Sequence, residues 1–199
     1  MLSLSIDMIP KIIIFDLDGV LVDACEWHRI AFNRSLKKIA NYEISLSDHY
    51  EKYNGLPTST KLAMLNEAGF VNVADNKDIH VLKQDITTEI INEQIEIDKD
   101  KIKLMRWLKS QQITIACCTN SISKTANLML EGAGIREYFD IIVTNEDVIK
   151  PKPDPEGYMK IINYFNYTPD ACIIVEDSPK GLQAAYATGA KVIEVKNAQ

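Results

Sequence analysis

Carboxylate, hydroxyl and ammonium side chains recur directly after short apolar runs of this sequence. They are Asp16 and Asp18, the run Thr119-Asn120-Ser121, Lys150, and the pair Glu176-Asp177. Carboxylates that are brought together repel one another unless a cation lies among them. Oxygen ligands of this kind favour Mg²⁺, which takes a few carboxylates together with a substrate phosphate. The lysine and the hydroxyl would then bind the phosphate from its other side.

Five apolar runs predict the buried strands that position these groups. The runs are Lys11–Phe15, Ile113–Cys118, Ile141–Thr144, Ala171–Val175 and Lys191–Val195. Because helical patterns alternate with them, they predict an α/β fold with a mainly parallel sheet. Ligands of a doubly wound sheet bind beyond the carboxyl ends of its strands. The four polar groups therefore meet at one edge of the predicted sheet, which favours a joint functional role over four separate helix caps or surface residues.

The stretch between the first two strands is too long for a simple crossover, and its apolar residues recur at helical spacing. We therefore predict a Rossmann-like, doubly wound α/β core over residues 1–23 and 96–199. An all-helical cap, residues 24–95, is inserted after the first strand. Helix starts are predicted at Asp23, at Ser121 or Ser123, and at Asp154-Pro155 and Ser178-Pro179, where a side-chain oxygen precedes a helical pattern.

Composition excludes several classes of function. The net charge is −6 with no basic block, which argues against nucleic-acid binding and against attraction to anionic lipid. No apolar run approaches the about 20 residues of a membrane-spanning helix. The start, Met1–Pro10, lacks the basic region of a signal peptide. We expect a soluble cytoplasmic protein whose partner is a small molecule.

The four cysteines do not form a metal-binding or disulfide pattern. Cys117 and Cys118 are adjacent within an apolar run, and Cys172 lies in another. Such residues are typical of small buried hydrophobic side chains in a reducing compartment. With no CxxC motif and only three histidines, a zinc site is not expected.

At these positions the chain resembles the haloacid dehalogenase superfamily, and in particular its sugar-phosphatase and β-phosphoglucomutase-like branch. The stretch from Phe15 to Asp23 resembles the first motif of that family over its full length. Thr119 matches the second motif, Lys150 the third, and Glu176-Asp177-Ser178 the fourth. The resemblance extends from Lys11 to Val195, and the helical segment lies where the family places its cap.

The resemblance implies a role for each matched position. Asp16 resembles the nucleophile that becomes an aspartyl phosphate, and Asp18 the general acid and base. Thr119 and Lys150 would bind phosphate oxygens. The implied Mg²⁺ ligands are Asp16, the Asp18 backbone carbonyl and Asp177, with Glu176 behind them. Since dehalogenases lack a carboxylate at the second position, Asp18 favours phosphoryl transfer.

Further positions are expected to contact substrate: Gly19, His28, Gly55, Thr58, Asn120 and Ser121. His28 is expected either to hydrogen-bond Asp18 or only to pack at the hinge.

Thr58 stands where members that grip a second phosphate carry arginine, and Ile122 where the mutase type has lysine. Lys61 or Lys83 could supply a compensating cation, but each is more simply interpreted as an exposed helix lysine. The missing cations at positions 58 and 122 favour a phosphatase of a small phosphorylated metabolite, such as a sugar phosphate. A β-phosphoglucomutase-like phosphotransferase and a non-catalytic phosphate-binding domain remain alternatives.

Overall fold

A parallel sheet of five strands forms the centre of the computed structural model, which describes residues 9–196 of the 199-residue chain. The strands are β1 (Ile12–Phe15), β2 (Thr114–Cys118), β3 (Ile141–Val143), β4 (Cys172–Glu176) and β5 (Lys191–Glu194). They lie in the order β3-β2-β1-β4-β5. Phe15 at the end of β1 pairs with Cys117 of β2 and Val175 of β4. The register therefore aligns the carboxyl ends of the three central strands.

Eight α-helices within residues 9–196 complete the fold. They are α1 (Cys25–Ala40), α2 (Leu46–Asp48), α3 (Thr58–Glu67), α4 (Asn76–Gln94), α5 (Lys99–Ser110), α6 (Ser123–Gly132), α7 (Glu156–Tyr164) and α8 (Pro179–Ala187). Helices α1 to α4 all come between β1 and β2, and one π-helical turn, His49–Tyr53, lies among them. The predicted α/β class and its doubly wound parallel sheet are confirmed.

Apolar clusters cover both faces of the central strands β1, β2 and β4, which explains why these strands are apolar without alternation. The edge strand β5, which was predicted to be buried, is mostly exposed because it has a neighbour on one side only. Ile13 and Ile115 belong to the cluster on one face, and Ile12 and Ile14 to the cluster on the other. A third cluster joins the inserted helices and includes Phe32, Leu36, Leu62, Leu65 and Ile79. The inserted helices thus have an apolar cluster of their own.

One of the predicted helix starts is correct: Ser178 is the N-cap of α8 and accepts a hydrogen bond from the Gly181 amide at 3.1 Å. Asp154 accepts a hydrogen bond from the Glu156 amide at 3.0 Å, but α7 begins one residue later than predicted, after Pro155. Helix α6 instead begins after Ile122, and α1 begins after Ala24. Ser121 is drawn to Asp18 instead. The side-chain oxygen of a nearby polar residue therefore did not decide those two boundaries.

The four cysteines, all within the described part of the chain, are free thiols, and three of them are buried. Among residues 9–196 no helix has the length and apolar character needed to cross a membrane. Most of the segment examined for a signal peptide, residues 1–8, lies outside the described residues.

Candidate active site

A buried lysine joins the ends of β1 and β4. The Lys152 ammonium donates to Asp16 Oδ1 at 2.6 Å, to Glu176 Oε2 at 2.7 Å and to the Cys118 carbonyl at 2.9 Å. Lys152 is 6 % exposed and Glu176 is fully buried. Burial alone would lower the pKa of Lys152, but Asp16, Tyr158 and Glu176 outweigh it and raise the pKa well above its usual value. Lys152 is therefore a permanent cation among two carboxylates.

Lys152, and not the predicted Lys150, lies beside Asp16 at the edge of the sheet. Lys150 is exposed, and its backbone amide donates to Glu156 at 2.9 Å. The neighbouring amide of Ile149 donates to the same carboxylate at 2.8 Å. These bonds hold residues 149 and 150 against the first turn of α7. The side chain of Lys152, in contrast, points to the edge of the sheet where β1 and β4 end. Two lysines two residues apart between prolines gave the sequence no means to separate them.

Asn120 fixes the segment that carries this lysine. Its side-chain amide accepts from the Lys152 amide at 3.1 Å and donates to the Lys152 carbonyl at 3.1 Å. The same amide donates to the carbonyl of Gly55 in the inserted helical segment at 2.9 Å. Asn120 therefore connects the loop after β2, the Lys152 loop and the segment between α2 and α3. Its predicted place at the site is observed, but its contacts here are with backbone groups.

Glu176 organises the end of β4 from within the core. Its Oε2 accepts from the Tyr158 hydroxyl at 2.6 Å, besides the bond from Lys152. Its Oε1 accepts from the Ser178 amide and hydroxyl, each at 3.0 Å. Burial would raise the pKa of Glu176, but Lys152 and these hydrogen bonds outweigh it and lower the pKa. Both oxygens are engaged, so Glu176 holds Lys152 in place.

Asp18 lies in a second chain of polar contacts, which extends into the inserted helices. His28 Nε2 lies 2.9 Å from Asp18 Oδ1, and Lys83 Nζ lies 3.1 Å from His28 Nδ1. An ammonium group has only donors, so Nδ1 must accept and the His28 proton must lie on Nε2. A neutral His28 therefore donates to Asp18. The expectation of a His28–Asp18 hydrogen bond is met, with Lys83 as its unpredicted support.

The contacts of Asp18 favour its ionised form. Burial would raise its pKa, but His28 and the Ser121 hydroxyl, which donates at 2.9 Å, outweigh it and lower the pKa. Asp16 behaves oppositely, since burial and the charge of Glu176 raise its pKa well above the usual value despite Lys152. Two carboxylates two residues apart are thus held in different electrostatic environments.

Three carboxylates at this edge could hold a metal ion. Asp16, Glu176 and Asp177 each offer an oxygen, and these atoms all lie within 4.8 Å of one another. The backbone of Gly19 approaches Asp177 so closely that a Cβ there would lie 2.1 Å from Asp177 Oδ2, and its φ is +91°. Burial, and then the charge of Glu176, raise the pKa of Asp177 to about 7. An oxygen-only, negatively charged set of this kind fits a divalent cation such as Mg²⁺.

Most of the predicted site residues line one pocket between the sheet edge and the inserted helices. Its walls include Asp16, Asp18, His28, Gly55, Thr58, Thr119, Asn120, Ser121 and Lys152. Thr119 is buried, and its hydroxyl lies 3.4 Å from Asp18 Oδ2. Lys61 and Lys83 also line this pocket and are only 8 % and 7 % exposed, so their interpretation as exposed helix lysines is wrong. Helical periodicity did not show that Lys61 and Lys83 face the pocket.

Paired carboxylates, a buried lysine and hydroxyl groups thus converge where a doubly wound sheet binds its ligand. The pocket beneath the inserted helices has the form of a small-molecule site, which defines the class as an α/β enzyme with a helical cap. The chain belongs to the haloacid dehalogenase-like hydrolase family, whose model matches residues 13–195. This match confirms the resemblance seen in the four sequence motifs.

Curated relatives of similar length carry phosphatase names. The chain is 28% identical over 182 residues to a phosphorylated carbohydrates phosphatase of Thermotoga maritima, a match that covers 89% of this chain and 81% of the relative. It is 28% identical over 190 residues to the fructose-1-phosphate phosphatase YqaB of Escherichia coli, covering 92% and 95% respectively. Among solved structures, CbbY of Rhodobacter sphaeroides in complex with phosphate superposes with a TM-score of 0.83. That match is 23% identical and covers 94% of this chain and 87% of CbbY, so it shows the shared fold.

Replacing Lys152 by methionine is expected to lower the free energy of unfolding by about 3–5 kcal/mol, because Asp16 and Glu176 lose the cation between them. Chemical denaturation of the purified variant measures this change. Lys150→Met is the matched control, two residues away and exposed, and should change stability by less than about 0.5 kcal/mol. Equal effects of the two substitutions would contradict the placement of Lys152.

The substitution Gly181→Ala tests whether the Glu176 side chain needs the space left by the missing Cβ of Gly181. A Cβ at position 181 would lie 1.9 Å from Glu176 Oε2. We expect a loss of about 1–3 kcal/mol in the free energy of unfolding, as for other overpacked buried positions. Gln183→Ala, at an exposed position of the same helix, is the control and should stay within about 0.5 kcal/mol of the unsubstituted protein. A fully stable Gly181→Ala protein would show that Glu176 can move without loss.

Proposed function

We propose that this protein is a Mg²⁺-dependent phosphatase that hydrolyses a small phosphorylated metabolite, with a sugar phosphate as the expected substrate. The observation that carries the proposal is the bond between Lys152 and Asp16 in the wall of a pocket that also contains Asp18. A carboxylate held beside a buried cation suits attack on phosphorus, since the cation attracts the phosphate oxygens. The phosphatase names of the relatives support this reading.

The first step would transfer the phosphoryl group to Asp16. Lys152 binds Oδ1 of Asp16, so Oδ2 is the oxygen proposed to attack phosphorus. The bond from phosphorus to the substrate oxygen breaks, and Asp18 gives that oxygen its proton. Asp18 must be protonated for this, and the anionic phosphate placed beside it would raise its pKa. The Thr119 hydroxyl is proposed to bind a phosphate oxygen, and the charge of Lys152, whose three N–H groups are already used, would attract the phosphate.

The second step would release phosphate from Asp16. A water attacks the phosphorus of the aspartyl phosphate while Asp18, now ionised, takes the water proton. The hydrogen bonds from His28 and Ser121 favour this ionised form. The products are inorganic phosphate and the free carboxylate of Asp16, which restores the starting state.

The metal would be held by Asp16, Asp177 and the backbone carbonyl of Asp18, with Glu176 supporting them through Lys152. When bound, Mg²⁺ supplies positive charge that favours the ionised carboxylate of Asp16 and neutralises the phosphate. The convergence of acidic oxygens within 4.8 Å supports this assignment.

A β-phosphoglucomutase-like phosphotransferase is the second candidate, and one observation favours it. Threonine at position 58 and isoleucine at position 122 leave the chain without two cations that a mutase would carry. Lys61 and Lys83, however, are buried in the wall of the pocket. A mutase would depend on a bisphosphate activator and give no net phosphate release. Measuring phosphate release together with formation of the isomeric sugar phosphate separates the two.

Asp16→Asn is expected to lower Mg²⁺-dependent phosphate release by at least about a thousandfold, because the amide cannot act as the nucleophile. Release is measured from a panel of sugar phosphates and an aryl phosphate, with Mg²⁺ and with chelator. The exposed Asp23 provides a matched control as Asp23→Asn, which should keep full activity. Full activity in Asp16→Asn would rule out the proposed nucleophile.

Asp177→Asn is expected to raise the Mg²⁺ concentration needed for half-maximal activity by at least about tenfold, since one charged ligand is lost. A Mg²⁺ titration of the initial rate measures the change. Asp170→Asn, at an exposed position before β4, serves as the control. An unaltered metal requirement in Asp177→Asn would argue against this residue as a ligand.

A further inference from the structure

His49 is a buried polar side chain of the pocket wall whose ring nitrogens have no hydrogen-bond partner in the protein. It begins the π-helical turn His49–Tyr53, lines the pocket and is only 2 % exposed. Its imidazole makes an edge-to-face contact with the Tyr50 ring, with 5.3 Å between the ring centroids. Within residues 9–196 neither ring nitrogen forms a hydrogen bond, and neither is sealed from the pocket. The polar edge of the imidazole is therefore open to whatever fills the pocket.

His28, a second histidine of the same pocket, shows the contrast. Its Nε2 donates to Asp18 at 2.9 Å, and its Nδ1 accepts from Lys83 at 3.1 Å. Both nitrogens of His28 are thus satisfied within the protein, as is usual for a buried polar group. The partner of His49 must instead come from the contents of the pocket, which are water in the free protein and substrate in the complex.

The imidazole of His49 is held in its neutral form. Burial, followed by the charges of Lys61 and Arg29, lowers the pKa of His49 to about 4. A neutral imidazole has one donor nitrogen and one acceptor nitrogen. A hydroxyl group can likewise donate and accept, whereas an ionised carboxylate or phosphate has no proton to give to the acceptor nitrogen. The chemistry of His49 therefore fits a hydroxyl group better than an anion.

The place of that hydroxyl follows from the proposed function, on which this inference rests. Asp16 and Thr119 at the sheet edge are assigned to the reacting phosphate. His49 belongs to the inserted helical segment and lines the same pocket, so it faces the organic part of the substrate. We propose that His49 hydrogen-bonds a hydroxyl group of the organic part and thereby determines specificity for polyhydroxylated phosphate esters.

Glucose 6-phosphate and its 1-, 2-, 3- and 4-deoxy analogues test this proposal. Each analogue lacks one hydroxyl group, and the reacting phosphate is the same throughout the series. We expect kcat/KM to fall by about 10- to 100-fold for the analogue that lacks the hydroxyl bound by His49, because one buried polar group is then left unpaired. The other analogues should change much less.

Variants of His49 show whether its imidazole causes the preference. His49→Phe keeps an aromatic ring and removes both nitrogens, so it should hydrolyse that analogue and glucose 6-phosphate at similar kcat/KM. His49→Asn and His49→Gln each keep an amide donor and acceptor near the position of one ring nitrogen, and one of the two should retain the preference. Tyr50→Phe, at the exposed neighbouring position, is the control and should leave all ratios as they are.

Stability separates this role from a merely structural one. His49→Phe should keep or raise the free energy of unfolding, because an apolar ring replaces a buried polar group that has no partner in the protein. A structural role would lower stability and reduce kcat/KM for all members of the series alike. His49→Leu, a smaller apolar replacement, decides the same question if the phenylalanine variant does not fold.

Failure of this proposal is distinguishable from failure of the proposed phosphatase. Hydrolysis of glucose 6-phosphate and all its deoxy analogues at similar kcat/KM, or a preference that His49→Phe leaves in place, would overturn the hydroxyl site alone. If no member is hydrolysed, calorimetric binding of the series to Asp16→Asn decides. Weaker binding of one deoxy analogue, with the difference lost on adding His49→Phe, supports the site. Equal binding of all members, or binding of none, overturns it.

Discussion

The ion cluster of Lys152, Asp16 and Glu176 is the interaction on which the site depends. An isolated buried charge is strongly destabilising, so each of the three charges requires the others. Lys152 comes from the loop before α7, Asp16 from the end of β1 and Glu176 from the end of β4. Because three segments distant in sequence share one set of contacts, the cluster also fixes the spacing of the strand ends. The carboxylate proposed to be the nucleophile is therefore placed by a contact that also stabilises the fold.

Polar contacts at the site link the core to the inserted helices. His28 joins Asp18 to Lys83 of α4, and Asn120 joins the loop after β2 to Gly55. The residue proposed to transfer protons is thus in contact with the helical segment, as is the loop that carries Lys152. A change in the position of the inserted helices would alter the surroundings of Asp18 and of the Lys152 loop together. These hydrogen bonds therefore couple the position of the inserted helices, which cover the pocket, to the surroundings of Asp18 and Lys152.

The charges of the pocket are separated by layer. The acidic groups, with Lys152 among them, lie at the sheet edge, whereas the cations Lys61 and Lys83 come from the cap. This distribution explains how a chain that has threonine at position 58 can still present positive charge on the cap side. Positions 61 and 83 supply that charge from two different helices.

The sequence by itself determined the fold class and most of the site. Apolar runs gave the five strands, and the polar residues directly after them had to meet at one edge because parallel strands share a direction. Asp16 and Thr119 directly follow β1 and β2, and Asp18 lies two residues beyond Asp16, so all three were predicted to lie at this edge. Only the tertiary structure decided between Lys150 and Lys152, because the choice depends on which backbone amides Glu156 and Asn120 bind across the fold. It likewise showed that Lys61 and Lys83 are buried, since local periodicity records which face of a helix is apolar and cannot show a polar face turned toward a pocket.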